Sequence, residues 1–193
     1  MRKVVFDIET RNIFQDVGSN DPRDLDISLV GVYDSETDSY SSYLLEELPK
    51  LWPIIEKTDL LIGFNSEHFD IPVLDKYYPG DLTKIKSLDL LKEIRAVAGR
   101  RMKLDQLAEG TLGVNKSGHG LDAIVWWKQG EIEKIRKYCL DDVRITKDLY
   151  DYAMTNKKLI YKEGPHLFEV KLDPSKWEHL DASLGAMNHT LPF

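Results

Sequence analysis

The sequence predicts one α/β domain built on a mixed β-sheet flanked by helices. Alternating segments come first, at residues 3–10, 27–34 and 40–45. Short apolar strands and helices then alternate from residue 59 onward, the order expected of an α/β domain. A long amphipathic helix over residues 131–152 completes the pattern. The chain of 193 residues is long enough for one domain with a substantial core.

Residues 3–10 form a strand with Val4, Phe6 and Ile8 on one face. Val5, Asp7 and Glu9 share the other face, so two carboxylates converge at its C-terminal end. Residues 18–23 are a loop, and strands 27–34 and 40–45 are joined by the turn-rich Asp34-Ser35-Glu36-Thr37-Asp38-Ser39. Residues 46–57 read as helical, with Pro49 and Pro53 confining them to short turns. Residues 59–64 are a short apolar strand, 71–78 a helix and 86–89 a strand. Helices over 90–98 and 103–112 end at Gly99 and Gly113. Residues 116–120 are flexible by composition, and 159–172 form a hairpin turning at Glu163-Gly164-Pro165. No repeat, low-complexity tract or linker stands out. Residues 1–156 are read as the main domain, with a hairpin and tail over 157–193 packed on it.

Composition narrows the function. Hydrophobic residues at 42% and charged residues at 31% describe an ordinary soluble protein. No apolar run approaches the roughly 18 residues of a membrane helix. Met1-Arg2-Lys3 leads straight into a strand rather than a secretory leader, so cytoplasm is the expected location and no membrane partner is expected. A single cysteine, Cys139, excludes an internal disulfide and a cysteine-based zinc site. The net charge of −7 opposes tight non-specific binding of polyanions. Its distribution is uneven: residues 1–80 hold 7 Lys/Arg against 16 Asp/Glu, whereas residues 84–104 hold seven basic against two acidic side chains. A local groove for a polyanionic strand remains compatible with that pattern.

Chemistry concentrates in three motifs: Val4-Val5-Phe6-Asp7-Ile8-Glu9-Thr10, Gly63-Phe64-Asn65-Ser66-Glu67-His68-Phe69-Asp70 and Tyr138-Cys139-Leu140-Asp141-Asp142. Carboxylates inside or beside apolar runs are costly to bury unless paired or bound to metal. Asp7, Glu9, Asp70 and Asp142 form a hard oxygen set suited to Mg²⁺ or Mn²⁺, and two such ions support in-line phosphoryl chemistry. In the long helix, Ile132, Ile135, Cys139, Asp142, Thr146 and Leu149 follow steps of three and four and lie on one face. Lys134, Lys137, Asp141, Arg144 and Asp148 form the opposite, solvated face. Asp142 therefore belongs to the site and Asp141 to the surface; the competing reading pairs Asp142 with Arg136. Tyr138 precedes Asp142 by one turn, so their side chains meet.

Taken together and in order, these motifs resemble the DEDD superfamily of exonucleases, whose members share a ribonuclease-H-like fold. The tyrosine four residues before the last aspartate is similar to the tyrosine branch; where the other branch has its histidine, this chain has Lys137. The motifs, with Lys103-Leu104-Asp105-Gln106-Leu107-Ala108 and Leu112-Gly113, resemble the proofreading domain of family B DNA polymerases. With no polymerase domain following, the chain also resembles stand-alone bacterial or phage relatives, including the YprB-like group. The resemblance covers about residues 3–152.

It implies stepwise 3′→5′ hydrolysis of terminal phosphodiesters in single-stranded DNA or RNA, with release of nucleoside monophosphates. It further implies two Mg²⁺ or Mn²⁺ ions, with Asp7 bridging them, Glu9 and Asp142 completing one and Asp70 holding the other. The resemblance likewise implies that Tyr138 orients the attacking water. A module that keeps the fold without the chemistry and an endonuclease of the same fold, such as a junction resolvase, are the alternatives. Protein partners are not readable from the motifs.

Several further residues carry two readings. Asn65 either contacts substrate or caps the helix bearing Asp70. Phe69 either stacks on a terminal base or belongs to the core. Thr10 closes the first motif and is a candidate substrate contact. Arg100 and Arg101 either mark a solvated loop or form a phosphate clamp, which the local basic excess favours. Of Trp126 and Trp127, adjacent on a helix, one is expected in the core and the other partly exposed. His68 lies near the site without a defined role.

Overall fold

The computed structural model describes residues 1–114 and 120–179. Of the segment read as flexible, only Gly120 falls among them; residues 116–119, like the tail from 180, lie outside the described residues. Strand β1 (Lys3–Thr10) is followed by α1 (Phe14–Val17), a 3₁₀ turn (Pro22–Asp24), β2 (Ile27–Asp34) and β3 (Ser39–Leu44). Then come α2 (Leu48–Ile55), β4 (Leu60–Gly63), α3 (Asp70–Asp75), β5 (Ser87–Asp89) and α4 (Leu90–Ala98). The remainder is α5 (Leu104–Leu107), a π-helical turn (Ala108–Leu112), α6 (Gly120–Gln129), α7 (Ile132–Asn156) and the hairpin β6 (Lys158–Glu163) and β7 (His166–Lys171).

The main sheet has the order β3-β2-β1-β4-β5. Its first three strands are antiparallel, whereas β4 and β5 run parallel to β1. The mixed sheet expected from the sequence is therefore present, with β1 at its centre. Both faces of β1 are covered, as its alternation requires. Val4, Phe6 and Ile8 pack with Ile27, Leu51 and Leu74 on one side. Val5 packs on the other with Ile62, Leu107, Val143 and Leu149. A fully buried aliphatic side chain contributes about 1.5–3 kcal/mol relative to exposure. These two layers can therefore hold acidic groups at the strand's end, where each buried charge is costly.

Two details place α7. Gly31 of β2 lies opposite Asp7 in the ladder. A Cβ on Gly31 would stand 2.8 Å from Cys139 Sγ and 3.2 Å from a Val143 methyl, so the helix rests directly on the strand backbone. Cys139 also donates its thiol to the Asp7 carbonyl at 3.4 Å. The helix outlasts the predicted 131–152 by about a turn, because Leu149, Tyr150 and Ala153 continue its buried stripe to the left-handed Lys157.

The predicted helix over 103–112 is regular only at its start. Its second half widens into the π turn, where β6 packs against it. The Thr111 hydroxyl donates to the Ile160 carbonyl and accepts from the Ile160 N–H, both at 2.8 Å. Gly110 permits the contact, since a Cβ there would lie 2.4 Å from the Ile160 oxygen. The hairpin turns at Gly164-Pro165, as its sequence indicates. Leu159, Tyr161, Val170 and Leu172 enter the same core as α7. Glu178 then binds Lys3 at 2.8 Å, and Trp177 stacks on Tyr150.

Helix α6 escaped the sequence reading as an element. Its apolar residues follow no single stripe, because they serve different neighbours: Trp126 packs on Tyr138, Trp127 lies under Arg11, and Leu121 is exposed. Among the described residues no helix is long and apolar enough to cross a membrane.

The contact at Gly31 is directly testable. Gly31→Val should lower stability by about 1–3 kcal/mol through overpacking against Cys139 and Val143. Urea unfolding at unchanged slope but lower midpoint would register it; an unaltered midpoint would mean that α7 does not lie this close.

Candidate active site

The site grows from the end of β1. Beyond Val5, β1 has no register with β4, whose pairing covers only Lys3, Val4 and Val5. The two strands part there, and Asp70 at the start of α3 fills the fork. Its Oδ1 accepts the Ile8 N–H at 3.0 Å, a buried bond that ties the second motif to the first. Crevices at the carboxyl ends of parallel strands are the usual ligand sites of such sheets.

Asp7 and Glu9 project from β1, and Asp142 meets them from α7. One carboxylate oxygen from each comes within 4.8 Å of the others. Asp142 is only 3% exposed, whereas Asp141 pairs with Arg144 at 3.1 Å on the outer face. Arg136, the rival partner for Asp142, reaches instead to Glu133 and Ser42. Tyr138 is buried one turn before Asp142, with its ring edge-on to Trp126 at a centroid distance of 5.9 Å. Three hard oxygen donors so close together fit one divalent cation such as Mg²⁺ or Mn²⁺.

Electrostatics at this point favour a cation. Burial, opposed by backbone N–H bonds and reinforced by the nearby Asp89 and Asp142 charges, pushes the Asp70 carboxyl up to about 7. Burial, with the Asp7, Glu9 and Asp142 charges, pushes the Cys139 thiol well above its usual range. It therefore stays protonated and serves as a donor rather than as a nucleophile.

A cleft of about 490 Å³ opens over these groups. Asp7, Glu9, Asp70, Tyr138 and Asp142 all line it, and so do Thr10, Asn65, Phe69 and Arg101. Arg100 does not join them. It pairs with Glu163 at 3.1 Å and lies over Tyr161, because the end of β6 reaches it first. Asn65 does not cap α3, whose cap position is Phe69. Asn65 instead takes the left-handed conformation (φ 66°) that lets the chain turn back after β4, a conformation Asn tolerates well. Phe69 meets Phe14 edge-on at 6.4 Å and forms part of the apolar wall. Trp126 and Trp127 are both half-buried, not divided between core and surface, and neither lines the cleft; Leu121 and Ile124 of α6 do. His68 faces a neighbouring cleft.

Asp89 was missed. Its buried carboxylate accepts the backbone N–H of Asn65 (2.7 Å), Glu67 (3.2 Å), Leu91 (2.9 Å) and Lys92 (3.4 Å). It thereby caps α4 and fixes the loop that leads to Asp70. An aspartate just before an apolar helix was the available signal.

A family profile described as the RNase_H superfamily matches residues 4–154, and the chain belongs to that superfamily. No curated protein matches the sequence. Among solved structures, the family B DNA polymerase of the hyperthermophilic archaeon Pyrobaculum calidifontis is similar, with a TM-score of 0.61 and 20% identity. That match covers 80% of this chain and 24% of the polymerase, and it establishes a common fold. The protein thus has a ribonuclease-H-like α/β fold with a clustered acidic site consistent with a nuclease-type active site.

Helix phase gives a prediction free of any assumed reaction. Asp142→Asn should weaken Mn²⁺ binding at least about tenfold, and Asp141→Asn should leave it unchanged, as measured by calorimetric titration. Equal weakening in both folded variants would contradict the placement of Asp142 in the cluster.

Proposed function

We propose that the chain is a metal-dependent 3′→5′ exonuclease that hydrolyses terminal phosphodiesters of single-stranded DNA or RNA to nucleoside monophosphates. The observation that carries this reading is the convergence of Asp7, Glu9, Asp142, Asp70 and Tyr138 on one cleft, from three separate elements. Membership of the RNase_H superfamily supports nucleic acid as the substrate class. Residues 1–156 form the catalytic unit in this reading, and the cytoplasm is its proposed location.

Asp7, Glu9 and Asp142 would hold one Mg²⁺ or Mn²⁺, and Asp70, lining the same cleft, would help to hold a second. When bound, such cations supply water activation and charge stabilisation at the phosphate. The protein's own groups do the positioning. Thr10, Asn65, Phe69 and Arg101 surround the terminal nucleotide, with Phe69 offering a ring for stacking. Tyr138, buried at the cleft beside these carboxylates, would orient the attacking water. A phenol, whose reference pKa is near 10, suits orientation better than proton abstraction.

The decisive assay uses 5′-labelled single-stranded DNA and RNA of matched sequence with Mg²⁺ or Mn²⁺. The expected result is a ladder shortening by single nucleotides, abolished by EDTA, with a closed circle left intact. Cutting of the circle would favour an endonuclease of the same fold. Binding without hydrolysis under any of these conditions would mark an inactive module. Tyr138→Phe should slow single-turnover hydrolysis by ~10²-fold, toward the low end for a positioned polar group, with metal binding retained. A wild-type rate would make Tyr138 a packing residue only.

A further inference from the structure

A second cleft, of about 550 Å³, adjoins the acidic one. Asn65 and Arg101 line both, so the two are continuous across the second-motif loop. Its other polar walls come from Glu67, His68, Lys92 and Arg95, with the Asp89 carboxylate at the foot of α4. The two acidic groups are already engaged. Asp89 accepts four backbone N–H bonds, and Glu67 pairs with Lys92 at 2.5 Å.

The arginines are not engaged in the same way. Of the eight in the chain, Arg2, Arg23, Arg100, Arg136 and Arg144 each form an ion pair among the described residues. Arg11 lies over the Trp127 ring. Arg95 and Arg101 have no carboxylate within ion-pair distance among the described residues, and both are exposed to this cleft. Lone guanidiniums beside a site for phosphodiesters present the planar donor pattern that phosphate oxygens accept.

We infer that this second cleft holds the sugar-phosphate backbone of the strand as it leaves the acidic cleft, with Arg95 and Arg101 contacting successive phosphates. The inference rests on the nuclease reading and adds to it a path for the substrate. That path takes in Lys92, Arg95, Arg101 and Lys103 from the basic stretch 84–104; Lys84, Lys86 and Arg100 turn instead to Asp81, the His179 carbonyl and Glu163. Phosphate contacts of this kind position a strand without reading its sequence. The cleft should therefore serve all sequences alike and matter only for substrates long enough to reach it.

The test is fluorescence anisotropy with 5′-fluorescein-labelled single-stranded 12-mers of DNA and RNA, in Ca²⁺, over a range of salt. Arg95→Gln should bind roughly tenfold more weakly than wild type, the low end for a charged hydrogen bond. The slope of log affinity against log salt should become shallower by about 0.7. Arg95→Glu should bind more weakly still, and Arg101→Gln should repeat the loss. Arg144→Gln, on the far face and paired with Asp141, should bind as wild type does. Hydrolysis of a dinucleotide with Mg²⁺ should be unaffected by Arg95→Gln. Because Arg95 is exposed on α4, thermal melting should match wild type, which confirms that the variants are folded. Wild-type affinity and salt slope in both Arg95 variants would overturn the inference and leave the nuclease reading intact. If wild type neither binds the 12-mers nor hydrolyses any substrate, both fail together.

Discussion

The site depends on how closely α7 lies on the sheet. A helix usually stands off a strand by the length of its interlocking side chains. Here Gly31 removes one of those side chains, and Cys139 fills the space and bonds the Asp7 carbonyl. That contact sets both the height and the rotation of the helix. Asp142, three residues further along, is then carried to within carboxylate contact of Asp7 and Glu9. Shift the helix outward by the radius of a methyl group, and the three oxygens no longer define one cation site.

The same geometry concentrates negative charge in a poorly solvated place. Asp70 offsets part of its burial by taking the Ile8 N–H on the side of β1 that β4 no longer pairs. Backbone N–H bonds from Ile8 and from its own residue are not enough, and its carboxyl remains raised to about 7 by burial and by neighbouring carboxylates. A group of acids arranged this way is poor design for stability alone. It becomes economical once a cation is bound, because the cation replaces mutual repulsion with shared attraction.

What was legible in the sequence is what repeats locally. The alternation of Val4, Phe6 and Ile8 with Asp7 and Glu9 marked the strand and its reactive edge. The three-and-four spacing from Ile132 to Leu149 separated Asp142 from Asp141. Both signals are carried by neighbours in the chain. Asp89 carries no such signal for its larger role, because two of its four partners are backbone N–H groups 24 and 22 residues away. The fate of Arg100 was equally hidden: Arg100 and Arg101 read alike until β6 brings Glu163 to only one of them. Helix α6 lost its period because its apolar residues answer to Tyr138, Arg11 and the cleft at once.

Asp7, Glu9 and Asp142 are brought together in the arrangement a hard cation needs. Anomalous diffraction from crystals grown with Mn²⁺ addresses it directly. A strong anomalous peak bounded by oxygens of Asp7, Glu9 and Asp142 is expected, with a second beside Asp70. Mn²⁺ bound elsewhere, with no peak among those three carboxylates at saturating metal, would contradict it.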